Sequence, residues 1–447
     1  MSCKISIIGA GSAVFTLGIV TEVCQSEHLK GSTISLMDIN PTRLEDAYGL
    51  ALRCVAECDA DIHITKTTDR RESLKDANYV VNTTLVIGNE KFKEGIEVCL
   101  NNGYRFGGSI HIMHDEAFYI NFYQIKLMED ILKDILEICP KAYYIIASNP
   151  VQAGVTYLKR KYKDARIIGV CPGFTHLFEM TDVLGLDRED IEYDIAGVNH
   201  FIWLTKFQYK GKDAYPILDK WIENDFEEYA KTVDYSYVTG PKAMDIYKRF
   251  GLYPVGDTAN PGGGSWSWIY HVDDATNKKY NERVHDWWKR HFMNCENQIK
   301  YMEKIIADKS IAITNGAIPP TNDPIVEIIE SIEANLGKVT IVNVLNDKGY
   351  MKGLPLDYEV EIKAAIDKEG VHPIPNNGLP KSIEAMMLRD RIAPVEMEIE
   401  AFETHEKKYL LELIMMDPWT RSRPQAEKLL DDILALPWNT EMKEYYK

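Results

Sequence analysis

Two residue pairs in this 447-residue chain are placed to do chemistry together. Ile167-Ile-Gly-Val-Cys-Pro-Gly173 is an apolar run that ends on a thiol, Cys171, beside the breaker pair Pro172-Gly173. Ile195-Ala-Gly-Val198 ends in the same way on Asn199 and His200. Cys and His are both metal ligands, and each sits where a buried strand should stop. A buried thiol and a satisfied histidine would give the same pattern. Asp257, after Val255-Gly256, is a third candidate, a carboxylate placed to act as a base, although a turn aspartate would look alike.

The elements that would position these groups alternate. Apolar, β-branched runs at Lys4–Ile8, Thr33–Met37, Asn78–Thr83, Ala142–Ala147 and Arg166–Val170 read as strands. Helical periods at Ala13–Ser26, Pro41–Cys58, Glu116–Ile138 and Val151–Tyr162 separate them. Strands and helices of these lengths imply right-handed crossovers and a parallel sheet covered on both faces. The expected fold is α/β, a Rossmann-like doubly wound parallel sheet with a large α+β second domain. The chain is too long for one core, and the expected division is 1–195 and 196–447.

The first turn of that sheet is Gly9-Ala-Gly-Ser-Ala-Val-Phe15. Glycines let a backbone approach a pyrophosphate, and the following helix presents free N–H groups to it. Val14 stands where a third glycine is usual. Asp38 ends the second strand, where a carboxylate can accept two ribose hydroxyls, which favours NAD over a 2′-phosphorylated cofactor. Gly9, Gly11, Ser12, Ala13, Asp38 and Asn82 are therefore the expected cofactor contacts. A helix cap is the other reading of Asp38.

Ligands of such sheets lie beyond the carboxyl ends of the strands. Asn82 and Thr83, Ser148 and Asn149, and Cys171 all fall there. The Asn149 carboxamide can bond two hydroxyls of a sugar or an acid; it is equally a turn residue before proline. The stretch 103–115 is rich in glycine and carries His111, His114 and Asp115 as a cover for the nicotinamide end, or as a plain surface loop. A second loop, 251–265, with Trp266 and Trp268 after it, is a candidate lid.

In the second half, Phe201–Tyr209, Thr340–Val344 and Glu359–Ile362 read as strands. Pro241–Phe250, Pro324–Asn335 and Pro424–Leu434 read as helices. Asn277–Asp308 has the length of a single long helix, and Ser382–Met416 that of a helix interrupted at Pro394.

The net charge of −17 argues against nucleic-acid or anionic-membrane partners. Eight cysteines without a Cys-x-x-Cys pair look like scattered buried thiols of a reducing compartment. No signal peptide and no membrane-length apolar run are visible, so a cytoplasmic protein is expected.

Taken in order, Gly9–Phe15, Asn149-Pro150, Cys171, Gly197–His200 and Asn343-Val-Leu-Asn346 resemble glycoside hydrolase family 4 along the whole chain. Ala196–Leu204, Asp213–Pro216 and Gly256–Thr258 look closest to its α-glucuronidase and α-galacturonidase-like branch. The resemblance implies an unusual glycosidase, outside the two-carboxylate mechanism. NAD would oxidise the sugar at C3, a base would remove the C2 proton, the C1 leaving group would be eliminated, and water would add before the ketone is reduced again. A divalent metal, commonly manganese, would polarise the C2 and C3 oxygens.

By that match Cys171 and His200 hold the metal, and Asp257 is the catalytic base. Asn149, Asn199 and His111 face the substrate, an α-glycoside that is not phosphorylated, with uronides among its candidates. The family's habit implies a homodimer or homotetramer. One departure stands out. The uronidase branch usually has histidine after the cysteine, and this chain has Pro172, which can neither donate a proton nor bond a substrate. His111, His114 and His176 are the replacements to consider as acid. The rival readings are an NAD-dependent dehydrogenase of the malate or lactate type and a non-catalytic sugar- or nucleotide-binding protein.

Overall fold

The computed structural model describes residues 2–105, 109–113, 116–232, 239–260, 266–270, 272–314, 318 and 321–447. Thirteen described strands join in one sheet. In chain order they are β1 (Lys4–Ile8), β2 (Ser32–Met37), β3 (Ile62–Thr67), β4 (Tyr79–Asn82), β5 (Tyr143–Ile146), β6 (Ile167–Gly169), β7 (Ile191–Val198), β8 (Phe201–Tyr209), β9 (Lys212–Asp213), β10 (Tyr253–Val255), β11 (Lys338–Leu345), β12 (Glu359–Asp367) and β13 (Gly370–Pro373). The spatial order is β10-β8-β7-β12-β11-β6-β5-β4-β1-β2-β3, with β13 beside β12 and β9 beside β8.

From β6 to β3 every pairing is parallel, which is the doubly wound α/β half. From β6 outward to β10 every pairing is antiparallel. The expected division at 195/196 falls inside β7. The sheet therefore runs unbroken from one part of the chain into the other. The larger apolar core fills the parallel half and the C-terminal helices; a smaller one lies around β8, β10 and helices Tyr215–Asn224 and Pro241–Phe250.

Two helices bracket the first turn. Helix α1 (Ala13–Gln25) follows β1 directly, and α2 (Pro41–Glu57) follows β2. Asn40 caps α2, its side chain accepting from the N–H groups of Thr42 and Arg43 at 3.1 Å each. Proline at the first helical position loses no needed donor. The cap is thus Asn40, and Asp38 is left for the turn.

Several expectations need correction. β3 was not foreseen: its Ile62 and Ile64 are buried while His63 and Thr65 are exposed, the alternation of an edge strand. The stretch expected as one helix over Asn277–Asp308 is two, Asp274–Lys279 and Val284–Ala307, divided at Asn281, whose φ is 55°. The helical run near the C-terminus does not stop at Pro394. A π turn at Leu388–Ile392 leads without a break into Ala393–Thr404 and accommodates Pro394, which has no N–H to donate. The break comes at His405, with φ 62°.

Among the described residues no helix is long and apolar enough to cross a membrane. His114, Asp115 and residues 261–265 of the two loops singled out above lie outside the described residues.

Candidate active site

The site is built on one row of the sheet. Asn82, Ile146, Gly169, Asn343, Glu361, Gly197, Ile202 and Val255 stand side by side across eight neighbouring strands. Asn149 follows that row by three residues, and Cys171, Asn199 and Asp257 follow it by two. β6 and β10 run in opposite directions, yet the segments that leave them meet. Strand twist of about 20–25° per step accumulates over the five steps between them. At the meeting point the Pro172–Thr175 turn packs on the Gly256–Thr258 turn. A Cβ on Gly256 would lie 2.8 Å from the Gly173 carbonyl oxygen, and Gly256 also has φ 59°, so no other residue fits there.

His200 is delivered by the tight Asn199-His200 turn between β7 and β8. Its φ of 61° lies in the left-handed region, a cost of about 1–3 kcal/mol for a residue other than glycine. The imidazole is buried between two acids. Nδ1 lies 3.6 Å from Glu116 Oε1, and Nε2 lies 3.5 Å from Asp257 Oδ2. Glu116 is itself fully buried and held by Arg391, whose guanidinium donates to Glu116 Oε2 at 2.8 Å, to Gln152 at 3.3 Å and to the Asn199 carbonyl at 3.2 Å. A carboxylate on one side of an imidazole favours the ring orientation that turns the other nitrogen away from it. Here that other nitrogen faces Asp257.

Cys171 is buried, and its Sγ accepts the Gly173 N–H at 3.4 Å. Burial drives its thiol well above the usual range, and the nearby Glu361 and Asp257 carboxylates push the same way. Burial likewise raises Glu361 to about 7, with Asp257 adding, against His200 and Asn199. Glu359 is driven well up by burial and by Glu361. Two acids at alternate positions of β12 are thus turned inward. Asn199 donates to Glu361 Oε2 at 3.1 Å. With its carboxamide nitrogen toward the acids, Asn343 donates to Glu359 at 2.8 Å and Glu361 at 3.2 Å.

These surroundings suit a divalent cation. Glu116, Asp257, Glu359 and Glu361 gather around Cys171 and His200 with Arg391 as the paired cation. Among the described residues no group of three or more His, Cys, Asp or Glu is arranged to hold a metal alone. Asp257 is the group that solvent reaches, its side chain 26% exposed against 1% for Glu116.

At the other end, Gly11 N–H donates to Asp38 Oδ2 at 2.7 Å and Asn40 N–H to Asp38 Oδ1 at 2.8 Å. A carboxylate offers about four lone-pair sites, so two remain for hydroxyls. A Cβ on Gly11 would come within 2.6 Å of Asp38, so the close approach needs glycine. Ser12 is exposed at the N-cap of α1 and its side chain does not cap the helix. The turn, the acid and the helix start fit a dinucleotide.

Other expected contacts sit further back. Asn82 is fully buried; its amide donates to Tyr144 at 3.0 Å, and its carbonyl oxygen holds Thr84. It shapes the β4 turn. Asn199 is fully buried and carries Glu361, and His111 is buried with Nδ1 4.0 Å from Glu116 Oε2. Both lie behind the site, so direct substrate contact by either is not what the geometry favours. Asn149 is half-buried at the rim. Gln124 joins its carbonyl (2.8 Å) to that of Thr84 (2.9 Å), tying the ends of β4 and β5. His176 is half-buried with Nε2 3.8 Å from Glu179, and Pro172 is exposed.

Known proteins can now be set beside this geometry. Residues 4–184 match the Family 4 glycosyl hydrolase profile and residues 195–420 match the Family 4 glycosyl hydrolase C-terminal domain. An alpha-galactosidase of Bacillus subtilis (strain 168) is 26% identical over 97% of this chain and 96% of its own length. An alpha-galacturonidase of Thermoanaerobacter italicus is 25% identical over 96% and 95%. In fold, a 6-phospho-alpha-glucosidase from gut microorganisms, solved with NAD and Mn2+, superposes with a TM-score of 0.79 at 18% identity, over 99% of each chain. By these matches across both parts of its length, the chain belongs to family 4 of the glycosyl hydrolases, and is a glycoside hydrolase.

Proposed function

We propose that this enzyme hydrolyses an α-glycoside with NAD and a divalent metal, manganese by preference. The observation that carries the reading is the seating of His200. Its Nδ1 is backed by Glu116, and its Nε2 faces Asp257 where the Cys171 turn meets the Asp257 turn. Cys171 and His200 would hold the metal, and Gly9, Gly11, Ser12, Ala13 and Asp38 the NAD. When bound, NAD accepts the hydride from C3 and the cation polarises the C2 and C3 oxygens of the sugar.

The chain's own groups do the rest. Asp257 is the solvent-reached carboxylate beside His200, placed to take the C2 proton. Asn149 orients the sugar hydroxyls at the rim of β5. Arg391 fixes Glu116, and Asn199 and Asn343 fix Glu361, so the acids behind the site keep one arrangement.

Curated relatives named for α-galactose, α-glucose and α-galacturonate substrates support the α anomer. Eight free thiols support a reducing, cytoplasmic setting. A homodimer or homotetramer is the assembly proposed from the family resemblance.

Replacement of Cys171 or His200 by alanine should abolish metal-dependent glycoside turnover. Full activity in both variants would refute the proposal. Net NADH accumulation during turnover would favour a dehydrogenase instead, since the glycosidase cycle returns its hydride.

A further inference from the structure

The eight cysteines are not all scattered. Cys24 lies on α1 three residues after Thr21, and Cys54 and Cys58 lie four apart at the end of α2. Residues three and four apart share a helix face. These two faces meet, since Thr21 Oγ1 lies 3.3 Å from Cys54 Sγ. Cys54 is fully buried at the centre, whereas Cys24 and Cys58 are half-buried, so a small oxidant can reach the flank of the group. The three thiols are unequal. A hydrogen bond from Cys24, with further ones from Thr21 and Cys58, brings Cys54 down against the effect of burial. Cys24 is pushed up in return by the same bond and by burial.

We propose that Cys24, Cys54 and Cys58 form a peroxide-responsive thiol site, separate from Cys171, in which Cys54 and Cys24 close a disulfide joining α1 to α2. In the first step the Cys54 thiolate attacks hydrogen peroxide. An S–O bond forms, the O–O bond breaks, and hydroxide leaves as water, giving a sulfenic acid. In the second, the Cys24 sulfur attacks Cys54. The S–S bond forms, the S–O bond breaks, and the departing oxygen takes the Cys24 proton as a second water. Two thiols are oxidised by two electrons, and one peroxide is reduced to two waters.

The partner of Cys54 is Cys24 rather than Cys58 on geometric grounds. Positions four apart on a helix hold their Cβ atoms about 5–6 Å apart. A disulfide needs about 3.5–4.5 Å. Pairing within α2 would distort the helix, whereas side chains from two packed helices can meet. The bond would tie the far ends of the two helices whose starts flank Gly11 and Asp38. Cys58, the helix cap beside them, remains a thiol.

The test uses the full-length protein, freed of reductant, treated with hydrogen peroxide, alkylated and digested with trypsin without reduction. Cleavage leaves Cys24 in peptide 5–30 and Cys54 with Cys58 in peptide 54–66. The expected result is a cross-link between these two peptides and loss of alkylation at Cys24 and Cys54. In Cys24→Ser the cross-link should vanish and a dimedone adduct should appear on Cys54. A bond within peptide 54–66 would overturn the pairing. Full alkylation of all three cysteines, under conditions that oxidise Cys171, would overturn the site. The mapping on unmodified protein stands whether or not the variant folds.

Discussion

His200 Nδ1 lies 3.6 Å from Glu116 Oε1, on the side of the imidazole away from Asp257. The expected role of the acid is to act through the histidine, its charge beside Nδ1 favouring one ring orientation. Glu116→Gln keeps the shape and removes the charge. Metal affinity should fall about 10–100-fold, as other losses of a carboxylate behind a liganding histidine do. Titration of activity with Mn2+ reads this, and rescue of the rate at high metal separates it from a loss of fold. An unchanged metal requirement would contradict the role.

Gly11→Ala tests the dinucleotide turn. The added Cβ meets Asp38 at 2.6 Å and breaks the Gly11–Asp38 bond. A hydrogen bond to a charged group contributes about 1.5–3 kcal/mol. NAD affinity should therefore drop about 10–100-fold in calorimetry, while metal affinity stays level. Equal loss of both would point to a general collapse.

Pro172→His restores an ionisable side chain at an exposed first position of a turn. If the native site lacks an acid there, the variant should gain on alkyl glycosides and change little on nitrophenyl glycosides. The ceiling is the ~10²–10⁴-fold that a positioned acid supplies. Equal effects on both substrate types would place the acid elsewhere.

Stability should depend on pH through Glu398. Burial lifts its carboxyl to about 8, with Glu116 adding, against the Asn121 hydrogen bond. The unfolded group titrates near 4.5, so between these values the folded state binds more protons. Its contribution is complete below about 4.5 and is lost as pH rises through 8, with a slope of about 1.4 kcal/mol per pH unit. Glu398→Gln should therefore gain in melting temperature over the wild type at pH 8 and lose that gain near pH 5. A gain that does not vary with pH would remove Glu398 from the account.

The positions proposed to carry the chemistry are legible in the sequence because strands announce themselves. Cys171, His200, Asp38 and Asp257 all stand at the end of an apolar run or of a strand. What supports them is not. Glu116 and Arg391 lie 275 residues apart, and each looks like one charge among many until the fold buries both. Glu359 and Glu361 alternate with apolar residues, as solvated strand residues do, yet both face inward because β12 is a central strand, covered on both faces. Asn82 ends a strand and Asn199 follows one, where ligand contact is expected, and His111 lies in the glycine-rich stretch 103–115; the fold buries all three side chains, which the sequence does not announce. Pro394 suggested a helix break that the π turn absorbs.

The central claim is a glycosidase that oxidises and deprotonates its sugar before the bond breaks. The direct measurement is turnover of an α-glycoside in D2O with NAD, Mn2+ and reductant, followed by analysis of the released sugar. The account predicts aglycone release that requires NAD, with deuterium at C2 and no net NADH. Release without deuterium at C2, or without NAD, would contradict it.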